Sequence, residues 1–389
     1  MARIPHLVAI GGGHSHALAL DLWSRQRSRP PAHITLISDA VYTPYSGILP
    51  GHVAGQYRWS DCYIDLPSLA ARAGVDFLRD RAVGLDLHRR IVELESDRSI
   101  AYDYLSIDTG STPEMNLRAG RSYTTPAKPV PAFLHDWYRL LDRVRNERDR
   151  PVAITIVGGG AGGVELSLTI SARLRKLLHR PELLTVNLLQ RGPRLLPEHN
   201  ASVRRILEAI AIERGVRLHL GETVREVTAT RTAICDSGRE ITSDFVVWVT
   251  NATPAFWLGN SGLTTDDRGF VTIDDTLRSV SHPEVFATGD VAALQGRSLP
   301  RAGVYAVRQG TPLLQNWLAA LSGSRDLIRY DPPNTVLALI GTGDGRAVAS
   351  WGKFGVGAYR WLWWIKDAID RRFMNKFPRF TAQQKRDPD

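Results

Sequence analysis

"VAITIVGGGAGGVELSLTI", residues 152–170, reads as one structural device. Ile154 and Ile156 mark a short apolar strand, and Val164, Leu166 and Leu168 mark a helix. Between them Gly158, Gly160 and Gly163 complete G-x-G-x-x-G. In that setting the three glycines play different parts. The first permits a sharp turn, the second lets the backbone approach a pyrophosphate, and the third lets helix and strand close up. The helix N-terminus then offers unpaired N–H groups and a positive dipole end to the phosphates.

The same order occurs near the start of the chain, where "HLVAI" runs into "GGGHSH" and then "ALALDLWSR". Gly11 and Gly13 stand in register with Gly12 between them, but His16 occupies the third glycine position, with His14 and Ser15 before it. A His-x-His metal site is the rival reading. Residues two apart at a helix start point to different sides, and no third ligand is near in sequence, so no metal is expected. A histidine there instead calls for a wider gap between helix and strand, or a small strand residue opposite. Two such loops imply two dinucleotides. A third landmark, "HPEVFATGDVA", places Gly289 and Asp290 after an apolar stretch, where a carboxylate can accept hydrogen bonds from sugar or ribityl hydroxyls.

The 389 residues are enough for two or three domains and a substantial core. Hydrophobic residues at 43% and charged ones at 23% are ordinary for a globular protein, and no apolar run reaches the roughly 18 residues of a membrane span. No secretory signal precedes the first loop, so the cytoplasm is the expected compartment. A net charge of +9 favours anionic ligands, yet the arginines are dispersed and no nucleic acid partner is expected. Cys62 and Cys235 form neither a redox pair nor a metal knuckle and read as two reduced, buried thiols.

Between the loops, "YDYLSIDTGSTP" places Thr109 and Gly110 after a strand-like alternation, and "FVVWVTNATPAFWL" repeats that pattern around Thr250 and Pro254. Both read as points where the chain crosses between domains. The expected division is 1–125 and 253–330 for a first domain, 126–150 for a polar linker, 151–252 for an inserted second domain, and 331–389 for a C-terminal segment.

These landmarks, in this order, resemble the pyridine nucleotide-disulfide oxidoreductase superfamily, over nearly the whole chain. Within it, "GGGHSHAL", "YTPYSGILPG", "GGGAGGVEL", "RGPRLLPEHN" and "DRRFMNKF" look most like the type II NADH dehydrogenases and the flavoprotein module fused to selenide, water dikinase. The resemblance implies an α/β fold of two Rossmann-like dinucleotide-binding domains, the second inserted in the first, plus a C-terminal α+β segment with an amphipathic helix. It implies FAD on Gly11, Gly12, Gly13 and Asp290, and NADH or NADPH on Gly158, Gly160 and Gly163. It also puts Glu165 near the flavin and nicotinamide rings, where hydride passes from nicotinamide to flavin and electrons then go to a quinone-like acceptor.

Several positions depart from the pattern. The carboxylate usual at the end of each domain's second strand is replaced in "HITLISDA" by Ser38, with Asp39 next, and in "TVNLLQRGPR" by Gln190, followed by Arg191 and Arg194. Lacking the acid and flanked by guanidinium groups, the second site admits a 2′-phosphate, so NADPH stands beside NADH. The paired thiols of disulfide and sulfide:quinone reductases are missing. Of the glutamines that flank a quinone pocket in this group, "GVYAVRQG" keeps only Gln309. Lys128 in "AKPV" is a flavin neighbour or simply a solvated loop lysine. Handling of a selenium or sulfur compound without a protein disulfide, and slow-turnover redox sensing, remain alternatives to quinone reduction.

From Tyr359 to Phe377 one helix is expected, with Leu362, Ile365, Ile369, Phe373 and Phe377 on one face and Trp361, Trp363 and Trp364 flanking it. Tryptophan near Lys and Arg suits an interfacial helix. Residues 357–380 thus read as a surface for the inner face of a membrane, or for the protein's own body or the second subunit of a homodimer. Basic residues continue from Arg371 to Lys385 and Arg386.

Overall fold

The computed structural model describes residues 3–380; Lys385 and Arg386 of the basic tail lie outside the described residues. Two five-stranded parallel sheets organise the chain. The first runs in the order Val285–Ala287, Tyr104–Ile107, His6–Ile10, His33–Ser38, Asp76–Arg79. The second repeats that plan with Thr125–Pro126, Phe245–Trp248, Val152–Val157, Leu184–Gln190 and Val216–Leu220. In both, the strand before the glycine loop is central and apolar, as expected of a strand covered on two faces. Each sheet is followed by a three-stranded antiparallel meander, Ala82–Asp86 with Ile91–Leu94 and Ser99–Ala101 in one case, and Val224–Val227 with Thr232–Cys235 and Glu240–Thr242 in the other. This is the α/β architecture of two Rossmann-like units. The crossing segments pair with each other, Thr112–Pro113 running antiparallel to Ala252–Thr253.

Residues 126–150 are more than a polar connector. They contain the helix Val130–Asn146, which buries Phe133, Leu134, Trp137, Leu140, Leu141 and Val144 in the core around the second sheet. These residues recur at spacings of three and four between Arg and Asp, which makes the helix amphipathic. Cys62 and Cys235 form no disulfide and are buried in separate apolar clusters.

The chain closes with an antiparallel sheet, Ala338–Gly341, Ala347–Trp351 and Phe354–Tyr359, and the helix Arg360–Met374. The apolar stripe expected on that helix is split. Leu362, Phe373 and, beyond the helix, Phe377 face inward, while Ile365 and Ile369 face out with Trp361 and Trp364. The inward face is completed by Lys366 and Asp370. At 100° per residue, positions 362, 366, 370 and 373 form one strip, and the two charges on it neutralise each other at 2.9 Å. Among the described residues no helix is long and apolar enough to cross a membrane.

Candidate active site

Both glycine loops sit where their strands end and their helices begin. In the second loop Gly158 has φ +121°, and a Cβ there would lie 2.2 Å from the Val249 carbonyl oxygen. A Cβ on Gly163 would lie 1.8 Å from the Gly158 carbonyl oxygen, so the third glycine is required by close approach. Gly160 caps the helix Ala161–Leu177 with extended backbone and no side-chain cap, and a Cβ there would meet nothing within 4 Å. The first-turn N–H groups therefore face open space, as a pyrophosphate requires. Gln190 closes the base of this loop, its Oε1 accepting from the Gly159 N–H at 3.0 Å, and Arg191 is exposed beside it.

The first loop solves the same problem differently. Gly11 has φ +93° and approaches the Asp108 carbonyl. His16 is fully buried, with Nδ1 donating to the Gly11 carbonyl at 2.7 Å and Nε2 accepting from the Ser106 hydroxyl at 2.8 Å. Burial pushes this imidazole down to about 4. Ser106, on the neighbouring strand, is the small residue that leaves it room. His14 bonds elsewhere, to the Pro44 carbonyl at 3.2 Å, so the two histidines do not converge.

Asp108 gave no sequence signal. Its carboxylate accepts the His16 N–H at 3.0 Å and stands 2.2–2.4 Å from the Cβ positions of Gly13 and Gly289. Those glycines are therefore explained by the carboxylate they enclose. Desolvation pushes Asp108 up to about 7, against the helix N–H groups that pull it down. The Gly12 and His14 N–H groups have no partner among the described residues and remain for a pyrophosphate. Ser15 ties this helix to the helix Gly303–Leu321 by donating to the Ala306 carbonyl at 2.8 Å.

The remaining first-site residues gather at the same strand ends. Gly289 donates its N–H to Gln309 Oε1 at 2.6 Å, so Gln309 fixes the turn that presents Asp290. Asp290 accepts from Ser111 at 3.2 Å and pairs with Lys128 at 2.8 Å. Lys128 is thus an ion-pair partner of Asp290 whose side chain remains 40% exposed. Burial raises the Asp290 carboxyl, but Lys128 and Ser111 outweigh it and leave it below the usual carboxylate range. Gly110 has φ +69° beside exposed Thr109. Ser38 is buried at its strand end, accepting from the Ala40 N–H at 3.3 Å, while Asp39 pairs with Arg81 at 3.1 Å.

Glu165, on the second turn of the second loop's helix, reaches across to the C-terminal sheet and accepts the Gly341 N–H at 2.7 Å. Desolvation in this crevice pushes its carboxyl up to about 6, with the nearby Lys366 ammonium opposing the shift. Lys366 Nζ donates to the Gly47 carbonyl at 2.6 Å and to Asp370 at 2.9 Å. Burial, with Asp370 adding to it, pushes the Tyr45 hydroxyl above its usual range. The segment "YTPYSGILPG", the second loop's helix and the C-terminal helix therefore meet at one buried polar cluster. Lys366 and Asp370 were invisible in sequence because they interrupt an apolar helix only once its rotation is known.

With both loops in place, residues 5–310 match the pyridine nucleotide-disulphide oxidoreductase family. The chain belongs to this family. The oxidoreductase binds FAD and uses NADH or NADPH, which the glycine geometry of both loops accommodates. It is similar to the demethylphylloquinone reductase NdbB of Synechocystis sp., 27% identical over 369 residues that cover 90% of this chain and 87% of the relative. A type II NADH:quinone oxidoreductase of Haemophilus influenzae is 27% identical over 62% of this chain and 61% of its own length. In fold the oxidoreductase resembles the sulfide:quinone oxidoreductase of Aquifex aeolicus, with a TM-score of 0.77, 18% identity and 98% and 94% coverage. NDH2 of Plasmodium falciparum, solved in complex with NADH, gives a TM-score of 0.77 at 13% identity, with 97% and 100% coverage.

Proposed function

We propose that this oxidoreductase passes electrons from NADH or NADPH to a quinone, with residues 1–125 and 253–330 holding FAD and 151–252 holding the nicotinamide dinucleotide. Bound FAD supplies the redox chemistry, accepting hydride from the nicotinamide and delivering two electrons to the acceptor. The protein aligns the two rings and manages protons. Gly12, Gly13 and the His14 N–H hold one pyrophosphate and Asp290 the ribityl chain, while Gly160 and the N–H groups after it hold the other pyrophosphate. Gln309 acts by positioning the Gly289–Asp290 turn.

The observation that carries the quinone reading is the buried cluster of Glu165, Lys366, Asp370 and Tyr45. Reducing a quinone to a quinol takes up one proton beyond that carried as hydride. A carboxyl titrating near 6 and hydrogen-bonded at the domain junction can hold that proton. Separate burial of the two cysteines removes the thiol relay that a disulfide or persulfide route needs. The exposed edge formed by Trp351, Phe354, Trp361, Trp364, Ile365 and Ile369 supports attachment to a membrane surface, where quinones reside. The missing carboxylate at Gln190 and the exposed Arg191 support use of NADPH alongside NADH.

Anaerobic reduction of the flavin by each nicotinamide, followed by ubiquinone and menaquinone analogues in turn, tests the reading, with sulfide added to the oxidised flavin as a rival electron donor. Quinone turnover is expected. Glu165→Gln is expected to retain FAD, slow quinone turnover about 10- to 100-fold and remove the limb near pH 6 from the rate profile. Flavin bleaching without turnover on any quinone overturns the assignment.

A further inference from the structure

Away from both dinucleotide loops, a cleft of about 420 Å³ opens between the stretch 52–61, the helix Val130–Asn146, the helix Ala161–Leu177 and the C-terminal helix. That volume suits a small molecule. Three guanidinium groups line it, from Arg58, Arg173 and Arg371, against one carboxylate, Asp61. Arg371 is engaged by Asp367 at 2.9 Å. Arg58 and Arg173 have no carboxylate partner among the described residues. On its own helix Arg173 lies ten residues beyond Gly163, about 15 Å along the axis, so it does not serve the pyrophosphate loop.

The cleft is built to hold the Arg173 guanidinium in place. Gly55, with φ +76°, lies so close that a Cβ there would stand 2.3 Å from Arg173 Nη1. A side chain there would make the guanidinium shift aside. The Gln56 amide oxygen, also lining the cleft, is buried without a hydrogen-bond partner. His52 is held by the Tyr57 carbonyl at 2.8 Å and by the Tyr138 hydroxyl at 2.6 Å. Tyr57, Trp137 and Leu141 complete an apolar wall.

We infer that this cleft binds a phosphate-bearing ligand with an attached hydroxyl, the phosphate on Arg58 and Arg173 and the hydroxyl on Gln56. Guanidinium forks match phosphate oxygens in geometry as well as charge, and an unpaired acceptor beside them calls for a donor on the same ligand. Two sources carry that chemistry: a soluble phosphate ester and a phospholipid headgroup. Trp364, exposed and two helical turns before Arg371, lies on the same side of its helix. The lipid source rests on the membrane attachment proposed above; the site itself does not.

The test uses the FAD-loaded full chain. Glycerol 3-phosphate and inorganic phosphate are titrated calorimetrically, and flotation is measured with vesicles of phosphatidylcholine alone or with phosphatidylglycerol. Saturable binding of a soluble phosphate or of phosphatidylglycerol vesicles is expected, weakened tenfold or more by Arg58→Gln with Arg173→Gln. FAD content and NADH–ferricyanide rate should stay within twofold of the parent. Arg205→Gln with Arg217→Gln removes the same charge from exposed sites elsewhere and should leave binding unchanged. A response confined to vesicles identifies the headgroup, and one confined to solution identifies a free ester. No saturable binding, or equal loss in the two double variants, overturns the inference.

Discussion

His16 shows how one residue can replace a glycine without losing the loop. In the second loop the third glycine is forced by a 1.8 Å approach to a carbonyl; in the first, the wider gap is filled by an imidazole that makes two hydrogen bonds. The ring is structural, so His16→Gly should retain FAD while losing about 2–4 kcal/mol from the cavity and the broken bonds. Chemical denaturation and flavin absorbance check this, and loss of flavin from a folded variant would make the imidazole a ligand contact. Asp108, pushed up to about 7 by burial, favours its neutral form in the fold. Its contribution is complete below the unfolded value near 4 and is lost as pH rises toward 7. His16, pushed down to about 4, has the opposite sign: its contribution is complete above about 6.5 and is lost as pH falls toward 4. Asp108→Asn should therefore melt progressively higher relative to the parent as pH rises from 5 to 7.5, in flavin-free protein followed by scanning calorimetry. A pH-independent difference would mean that Asp108 does not change charge in that window.

At the scale of elements, the C-terminal helix carries the clearest lesson. Its residue types suggested an apolar face of Leu, Ile and Phe, but its rotation buries a Lys–Asp pair and exposes two isoleucines and two tryptophans. Periodicity could not choose, because strips at 362-366-370-373 and 362-365-369-373 both fit a helix. The partners decided: the Gly47 carbonyl and Tyr45 satisfy the buried charges, which are tolerated only when paired and hydrogen-bonded. Ile365→Ser with Ile369→Ser should change folding stability by less than about 1 kcal/mol and weaken partition onto vesicles about tenfold or more. Unchanged partition in a flotation assay would assign that face to something other than a membrane. The helix Val130–Asn146 makes a milder case, since 126–150 reads in sequence as a polar linker and only the packing of Phe133, Trp137 and Leu141 shows the face it buries.

Across the whole molecule, two copies of one sheet plan are joined by a paired crossing of Thr112–Pro113 and Ala252–Thr253. The first sheet takes strands from both sides of the inserted unit, Val285–Ala287 pairing with Tyr104–Ile107, so a ligand bound there stabilises segments far apart in sequence. Removing FAD should lower the melting temperature and restoring it should recover it, with a stabilisation of about 4 kcal/mol when free FAD stands at 1,000 times its Kd. Recovery of absorbance without recovery of melting temperature would show that FAD does not hold the first sheet together.

The sequence by itself determined the two loops, the strands and helices around them, the order of landmarks and the lack of a thiol pair. Those features are local: a glycine turn and a short apolar run act over a few residues, and cysteine count needs no structure. The tertiary structure alone decided which groups surround Glu165, what Asp108 and Gln309 do, and which face of the last helix is buried. Each depends on contacts between residues tens or hundreds of positions apart, as from Glu165 to Gly341 or Gly47 to Lys366. A charged side chain's burial is settled by the partner it finds, and that partner is set by the packing of whole elements.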